Sequence, residues 1–204
     1  MFEKIYIFDS GYCIQKEKFV IKDGRNVKIK FPSMFSVMIH KKHGVILFDT
    51  GYSEEIYNAS KKFPLNIYTK LIPVFCKKED TAVEKLKRIG ISKEEVKYII
   101  ISHFHTDHIS GLKDFSKAKY IYMKNGYDNV KNAKGLKALK LGFLKDLLPK
   151  DFDARSIQLD LKDNNLIIKE MKYFNLYIDF FGDDSLKLIS MEGHYRGHLG
   201  CFML

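Results

Sequence analysis

Three of the chain's seven histidines and an aspartate fall within six consecutive positions, His103-Phe104-His105-Thr106-Asp107-His108. Neutral imidazole suits zinc and its first-row neighbours, and a carboxylate suits a harder second ion. In extended backbone His103 and His105 project to one side, because side chains alternate with a period of two. A turn beginning near Asp107 then brings Asp107 and His108 round beside them. The result is two adjacent half-sites for metal. A set of surface histidines or a capping network is the plain alternative, but the density of the cluster and its place after a buried strand favour metal.

Three imidazoles leave a tetrahedral ion one open position for water, which is the catalytic arrangement. His103 and His105 therefore need a third partner, and the best candidate is His194 in "MEGHYRGHLG", residues 191–200. Gly193 before it allows a sharp turn at a strand end. His198 opens the next strand and reads as structural. Asp49, closing the run Val45-Ile46-Leu47-Phe48, either caps a turn or orients a metal-bound histidine and holds the histidine loop. In neither role does it need to touch the ion. Water on such an ion is a nucleophile at neutral pH, and Asp107 could carry a proton to the leaving group. The reaction class that follows is hydrolysis.

These residues need elements to position them. Tyr98-Ile99-Ile100-Ile101 is β-branched and apolar, as a strand buried on both faces would be, and the cluster begins where it ends. Alternating runs at 5–8 and 36–40 and the apolar run at 45–48 read as strands, with the last two forming a hairpin across His43-Gly44. A short helix is expected near 53–61, an irregular stretch at 63–76, a helix at 79–89 stopped by Gly90, and a strand at 119–122. Residues 127–148 are helical in character, with Leu136, Leu139, Phe143 and Leu147 on one face, and Gly135 and Gly142 dividing them. Strands follow near 155–158, 166–169, 172–178, 186–191 and 198–204. Strands, helical excursions and strands again suggest a layered α/β (α+β) protein with mixed sheets.

The 204 residues carry a formal charge of +10, spread as lysine with only four arginines, Arg25, Arg88, Arg155 and Arg196. Dispersed lysine makes a solvated surface, whereas phosphate recognition enlists arginine forks or a basic stripe, so nucleic acid is not the expected partner. Cys13, Cys76 and Cys201 are too few and too scattered for a disulfide framework or a metal pair, and read as small buried hydrophobes. No apolar run approaches a membrane span and no signal peptide is evident, so a cytoplasmic protein is expected.

"HFHTDH" (103–108) resembles the HxHxDH signature of the metallo-β-lactamase superfamily. "LFDTG" (47–51) resembles its first motif and "GHYRGH" (193–198) its GHTPGH-like third, in the family's order. The resemblance implies an αββα sandwich of two mixed β-sheets flanked by helices, with the metals at one edge. It implies one domain over 1–204, with a helical insertion near 123–150 that would overhang the metals. It implies His103, His105 and His194 on one zinc, and Asp107 and His108 on a second. "KIYIFDSGYC" and "LKLISMEGH" are most similar to N-acyl-homoserine-lactone lactonases, which implies opening of a lactone or similar ester; a thioester hydrolase of the glyoxalase II kind, a nuclease or a catalytically impaired relative are the alternatives. A small-molecule substrate is the implied partner, and self-association stays open.

Two features depart from that pattern. Glu192 and Tyr195-Arg196 stand where relatives more often carry proline and small residues, and Arg196 could bind an anionic substrate group or pair at the surface. The family normally continues to an aspartate that bridges both metals and to a last histidine, whereas this sequence ends on the apolar "HLGCFML". A C-terminally truncated chain with an incomplete second metal site is therefore the expectation.

Overall fold

Alternate residues of the central strands face two different cores. In the computed structural model, which describes residues 1–204, Val45, Leu47, Ile99, Tyr120 and Tyr122 point to one side of the larger sheet and pack against helices. Ile46, Ile100, Ile121 and Met123 point to the other and meet Ile178, Leu186, Leu188 and Leu199 of a second sheet. Both faces of these strands are apolar because both are covered.

The larger sheet has seven strands in the order β4-β1-β2-β3-β5-β6-β7. They are β1 (Phe2–Lys16), β2 (Lys28–His40), β3 (Gly44–Phe48), β4 (Val74–Phe75), β5 (Val96–Ile100), β6 (Lys119–Met123) and β7 (Ser156–Leu159). From β3 to β7 neighbours run parallel, while β4, β1, β2 and β3 are antiparallel. The smaller sheet is wholly antiparallel, in the order β11-β10-β9-β8: β8 (Ile168–Met171), β9 (Asn175–Asp179), β10 (Leu186–Ser190) and β11 (Leu199–Met203). The helices α1 (Glu55–Ala59), α2 (Asn66–Leu71), α3 (Ala82–Arg88), α4 (Thr106–Ile109), α5 (Lys124–Val130) and α6 (Gly135–Lys140) all lie between β3 and β7 in the chain. Residues of these helices, among them Ile56, Leu86, Ile109 and Val130, fill the helical side of the larger sheet.

Two sheets flanked by helices is thus the observed architecture, and most expected elements fall in place within a residue or two. Three differ. The first hairpin is far longer than the apolar runs 5–8 and 36–40, because β2 begins at Lys28, where exposed Lys28 and Lys30 already alternate with half-buried Ile29 and Phe31 opposite β1. The stretch 63–76 holds α2, since Pro64 and Pro73 bracket that helix rather than break it. Leu136 is 65 % exposed, so it leaves the apolar face on which Phe143 and Leu147 are fully buried. The three cysteines are free, with Cys76 buried and the others half-buried. No helix is long and apolar enough to cross a membrane.

Ile100 sits between the sheets with no solvent exposure. Ile100→Ala should lower the unfolding free energy by about 2–5 kcal/mol, with Tm falling by about 2–4 °C for each kcal/mol. Urea and thermal unfolding of the variant check this; an unchanged midpoint would mean that the two sheets do not pack through this side chain.

Candidate metal centre

Parallel strands β3 and β5 end at the same rim of the sandwich, and the chemistry-bearing residues leave from there. Asp49 follows β3, and its backbone N–H donates to Ile100 O at 2.8 Å. Its side chain is buried and accepts three hydrogen bonds: from the Ser102 backbone N–H (2.8 Å), the Ser102 hydroxyl (2.7 Å) and His108 Nδ1 (2.7 Å). The backbone of the histidine loop is pinned from the same side. Thr50 donates through both its N–H (3.0 Å) and its hydroxyl (2.9 Å) to His108 O, and Ser33 donates to Asp107 O at 2.6 Å. One carboxylate thus meets the His108 ring and, through Ser102, the start of the histidine loop.

Hydrogen counting fixes the ring states. Ser102 has one hydroxyl hydrogen and gives it to Asp49, so at 3.0 Å it accepts from His103 Nδ1. That leaves the lone pair of His103 on Nε2, which faces His105 Nδ1 at 3.0 Å. Burial pushes His103 far below the usual imidazole range, and the neighbouring histidines push the same way. Burial also brings His105 down, to about 4, against the opposing pull of Asp107 and with the help of His194 and His108. Both rings are therefore neutral at pH 7.

His194 arrives from the other sheet. The Leu199 N–H donates to Ser102 O at 2.8 Å, which sews the start of β11 to the histidine loop. The His194 ring then stands 5.0 Å from that of His103 and 5.1 Å from that of His105, centroid to centroid. One ring nitrogen from each of the three lies within 4.8 Å of the others. Nitrogens about 2.0–2.1 Å from a tetrahedral zinc lie about 3.3 Å apart, so this donor set fits one ion after small ring movements, the His103 and His105 nitrogens standing 3.0 Å apart.

Asp107 and His108 form a second group, with His108 Nε2 3.4 Å from Asp107 Oδ2. Burial opposes charge on His108, but Asp49 and Asp107 on its two sides outweigh it and raise its pKa well above the usual value. Burial would likewise raise Asp107, but the charge and hydrogen bond of His108 hold it down at about 2. The structure brings only these two side chains together on this side. The His198 ring lies 4.8 Å from that of His103, yet it is not among the three converging donors. Arg196 is exposed and makes no ion pair.

Sequence reasoning missed three supporting residues. Ser102 relays Asp49 to His103, and its only signal is its place between strand and cluster. Tyr195, buried, sets its ring 5.2 Å from His103 and 4.8 Å from His105. Gly142, expected only as a helix divider, has φ of +60° and lies so close to the metal group that an added Cβ would come 2.8 Å from His105 Cδ2. A second histidine group, His40, His43 and Asp183, gathers at the opposite end of β3. There His40 Nδ1 accepts backbone N–H groups from Lys42 (3.1 Å) and His43 (3.0 Å), and its Nε2 stands 2.8 Å from the N-terminal ammonium.

Asp49→Asn tests the carboxylate without disturbing the backbone, since asparagine tolerates the φ of +63° found here. Its amide would turn a donor toward Ser102 or His108, each of which already presents a hydrogen. Metal affinity should fall about 10–100-fold, measured by competition with a chromophoric chelator; unchanged affinity would mean that Asp49 does not hold the rings.

Residues 33–122 match the family model described as the metallo-beta-lactamase superfamily. The N-acyl homoserine lactonase AttM of Azorhizobium caulinodans is 23% identical over 196 residues, covering 96% of this chain and 68% of that protein. The N-acyl homoserine lactonase AiiA of Bacillus thuringiensis subsp. kurstaki is 28% identical over 126 residues, 62% of this chain and 50% of that one. The chain thus spans half to about two thirds of the length of these relatives. A solved N-acyl homoserine lactone hydrolase with N-hexanoyl-L-homoserine at its catalytic metal centre superposes with a TM-score of 0.73 at 21% identity, over all of this chain and 71% of that one. The dizinc quorum-quenching lactonase AidC gives a TM-score of 0.59 at 18% identity. The family model takes in Asp49 and the whole histidine loop, the alignment with AttM runs on through the turn that carries His194, and the chain shares the fold of these solved structures: its residues 33–122 are similar to the metallo-beta-lactamase superfamily.

Proposed function

We propose that this chain is the metal-binding part of a hydrolase that opens lactones or similar esters of small molecules, with His103, His105 and His194 as the ligands of one zinc-like ion. The observation that carries the reading is the convergence of three imidazoles, two of them held neutral, from two segments 89 residues apart in the chain (His105 to His194). The lactonase relatives support the substrate class.

When bound, the ion supplies a water acidified toward neutrality and a Lewis acid for the carbonyl oxygen. The protein's own groups do the rest. Asp49 and Ser102 hold the His103 and His108 rings in single orientations, so no reorientation is needed when substrate arrives. Tyr195 and Gly142 close the space around His105 and keep its ring from swinging. Asp107, ionised at pH 7, takes the proton of the attacking water on a carboxylate oxygen and returns it to the alkoxide oxygen of the opened ring, so that the hydroxy acid leaves balanced.

With two side chains on its side of the centre, Asp107 and His108 make a weak second site. Protein purified without added metal and dialysed against a mild chelator should retain one ion per chain by elemental analysis; two tightly held ions would contradict this. Lactone, thioester and phosphodiester turnover should be compared with zinc present. Lactone should be the best substrate, and His103→Ala should remove more activity than the roughly 10–100-fold that partners outside the ligand set contribute. Faster thioester or phosphodiester turnover would reassign the substrate.

A further inference from the structure

His194 is the odd member of the ligand group. His103 is buried and tied to Ser102, whereas His194 is exposed on the turn between β10 and β11. Glycines flank it on both sides, Gly193 with φ of +140° and Gly197 with φ of +70°. Such a turn has many accessible shapes, and a ligand on it would lose affinity to that freedom unless something outside the turn fixed it.

The neck of the turn is closed by the Met191 N–H donating to His198 O at 2.7 Å. Inside the neck, Glu192 Oε1 accepts two hydrogen bonds from opposite directions. One comes from the Gly197 N–H at 2.9 Å and spans the turn; the other comes from Asn125 Nδ2 at 3.2 Å, on α5. The same carboxylate oxygen therefore folds the turn and fastens it to a helix. The fastening surface is close-fitting. A Cβ on Gly197 would fall 2.6 Å from Gly126 N, and one on Gly126 would fall 3.0 Å from Arg196 O.

We propose that Glu192 is the positioning residue of His194, latching the β10–β11 turn onto α5 so that the imidazole stays within reach of His103 and His105. The inference rests on the reading of those three histidines as one metal site. An acceptor is what the latch needs: Glu192→Gln keeps an Oε1 for both donors, and Glu192→Ala removes it. Asn125→Ala cuts only the half that reaches α5.

The test uses the full chain loaded with Co(II), whose visible bands report coordination number, in the wild type, E192A, E192Q, N125A and H194A. Affinity is read by chelator competition and the fold by thermal unfolding of the metal-free protein. Glu192→Ala should weaken Co(II) binding about 10–100-fold and move the visible spectrum toward that of His194→Ala, with the metal-free melting temperature unchanged. Glu192→Gln should restore wild-type affinity and spectrum, and Asn125→Ala should fall between. Wild-type behaviour of E192A beside a damaged H194A would overturn the latch alone, and so would an E192Q that behaves like E192A. An H194A with full affinity and an unaltered spectrum would overturn the three-histidine site and the latch with it. Should E192A also melt lower, N125A decides: a spectrum shifted toward H194A supports the latch, and a wild-type spectrum with a lowered Tm in E192A assigns Glu192 to stability only.

Discussion

One buried carboxylate ties the rim of the sandwich together. Asp49 leaves β3 in a left-handed backbone conformation that places its two oxygens across the end of β5, where three hydrogens meet them. An ionised carboxylate accepts and never donates, so every partner must present a hydrogen. That one-way demand propagates outward: the Ser102 hydroxyl turns inward, His103 gives it Nδ1–H, and the His103 lone pair is left facing His105. His108 receives the same instruction directly. The state of the rings is thereby decided by a residue that meets neither His105 nor His194.

The sandwich serves that arrangement by bringing three strand ends to one place. β3 delivers Asp49, β5 delivers Ser102 and the histidine loop, and β11 is stitched to Ser102 O by Leu199. Both faces of the two central strands are packed, with Leu47 and Ile99 on one side and Ile46 and Ile100 on the other. A one-residue slip of either strand would exchange its two faces, so the register that sets the position of Asp49 against Ser102 is set by core packing. The helices matter to the site at two points, where Gly142 backs His105 and α5 receives the turn that carries His194.

Much of this is legible in the sequence, and what is not has a physical reason. The apolar strands, the strand-end position of the cluster, the pairing of its residues and the distant third imidazole all follow from periodicity and residue type. The far half of the first hairpin is harder to see, because its half-buried Ile29 and Phe31 are spaced singly between the exposed Lys28 and Lys30 and make no continuous apolar run. Pro64 and Pro73 give the same composition whether they bracket a helix or interrupt a coil, and only the structure separates the two. Ser102, Tyr195 and Gly142 act through contacts between segments far apart in the chain, so no local pattern marks them. Gly142 is the clearest case: its glycine reads as a break in a helix, and its actual constraint is the imidazole of His105.

Counting ligand residues would have found two metal centres in this fold, and the partners of each ring separate them. At the rim, His103 has its hydrogen drawn to Nδ1 by Ser102, leaving Nε2 bare in the direction of its neighbours. At the other end of β3, the turn after β2 points two backbone N–H groups at His40 Nδ1, and the N-terminal ammonium of Met1 stands 2.8 Å from its Nε2. Both ring nitrogens of His40 are thus engaged by donors, and His43 lies flat against Phe181 with ring centroids 3.6 Å apart. The same residue types, at similar distances, close a strand hairpin there and build a donor set at the rim. What distinguishes a candidate centre is therefore less the number of imidazoles than the acceptor placed behind each one, and in this chain that acceptor is the hydroxyl that Asp49 turns.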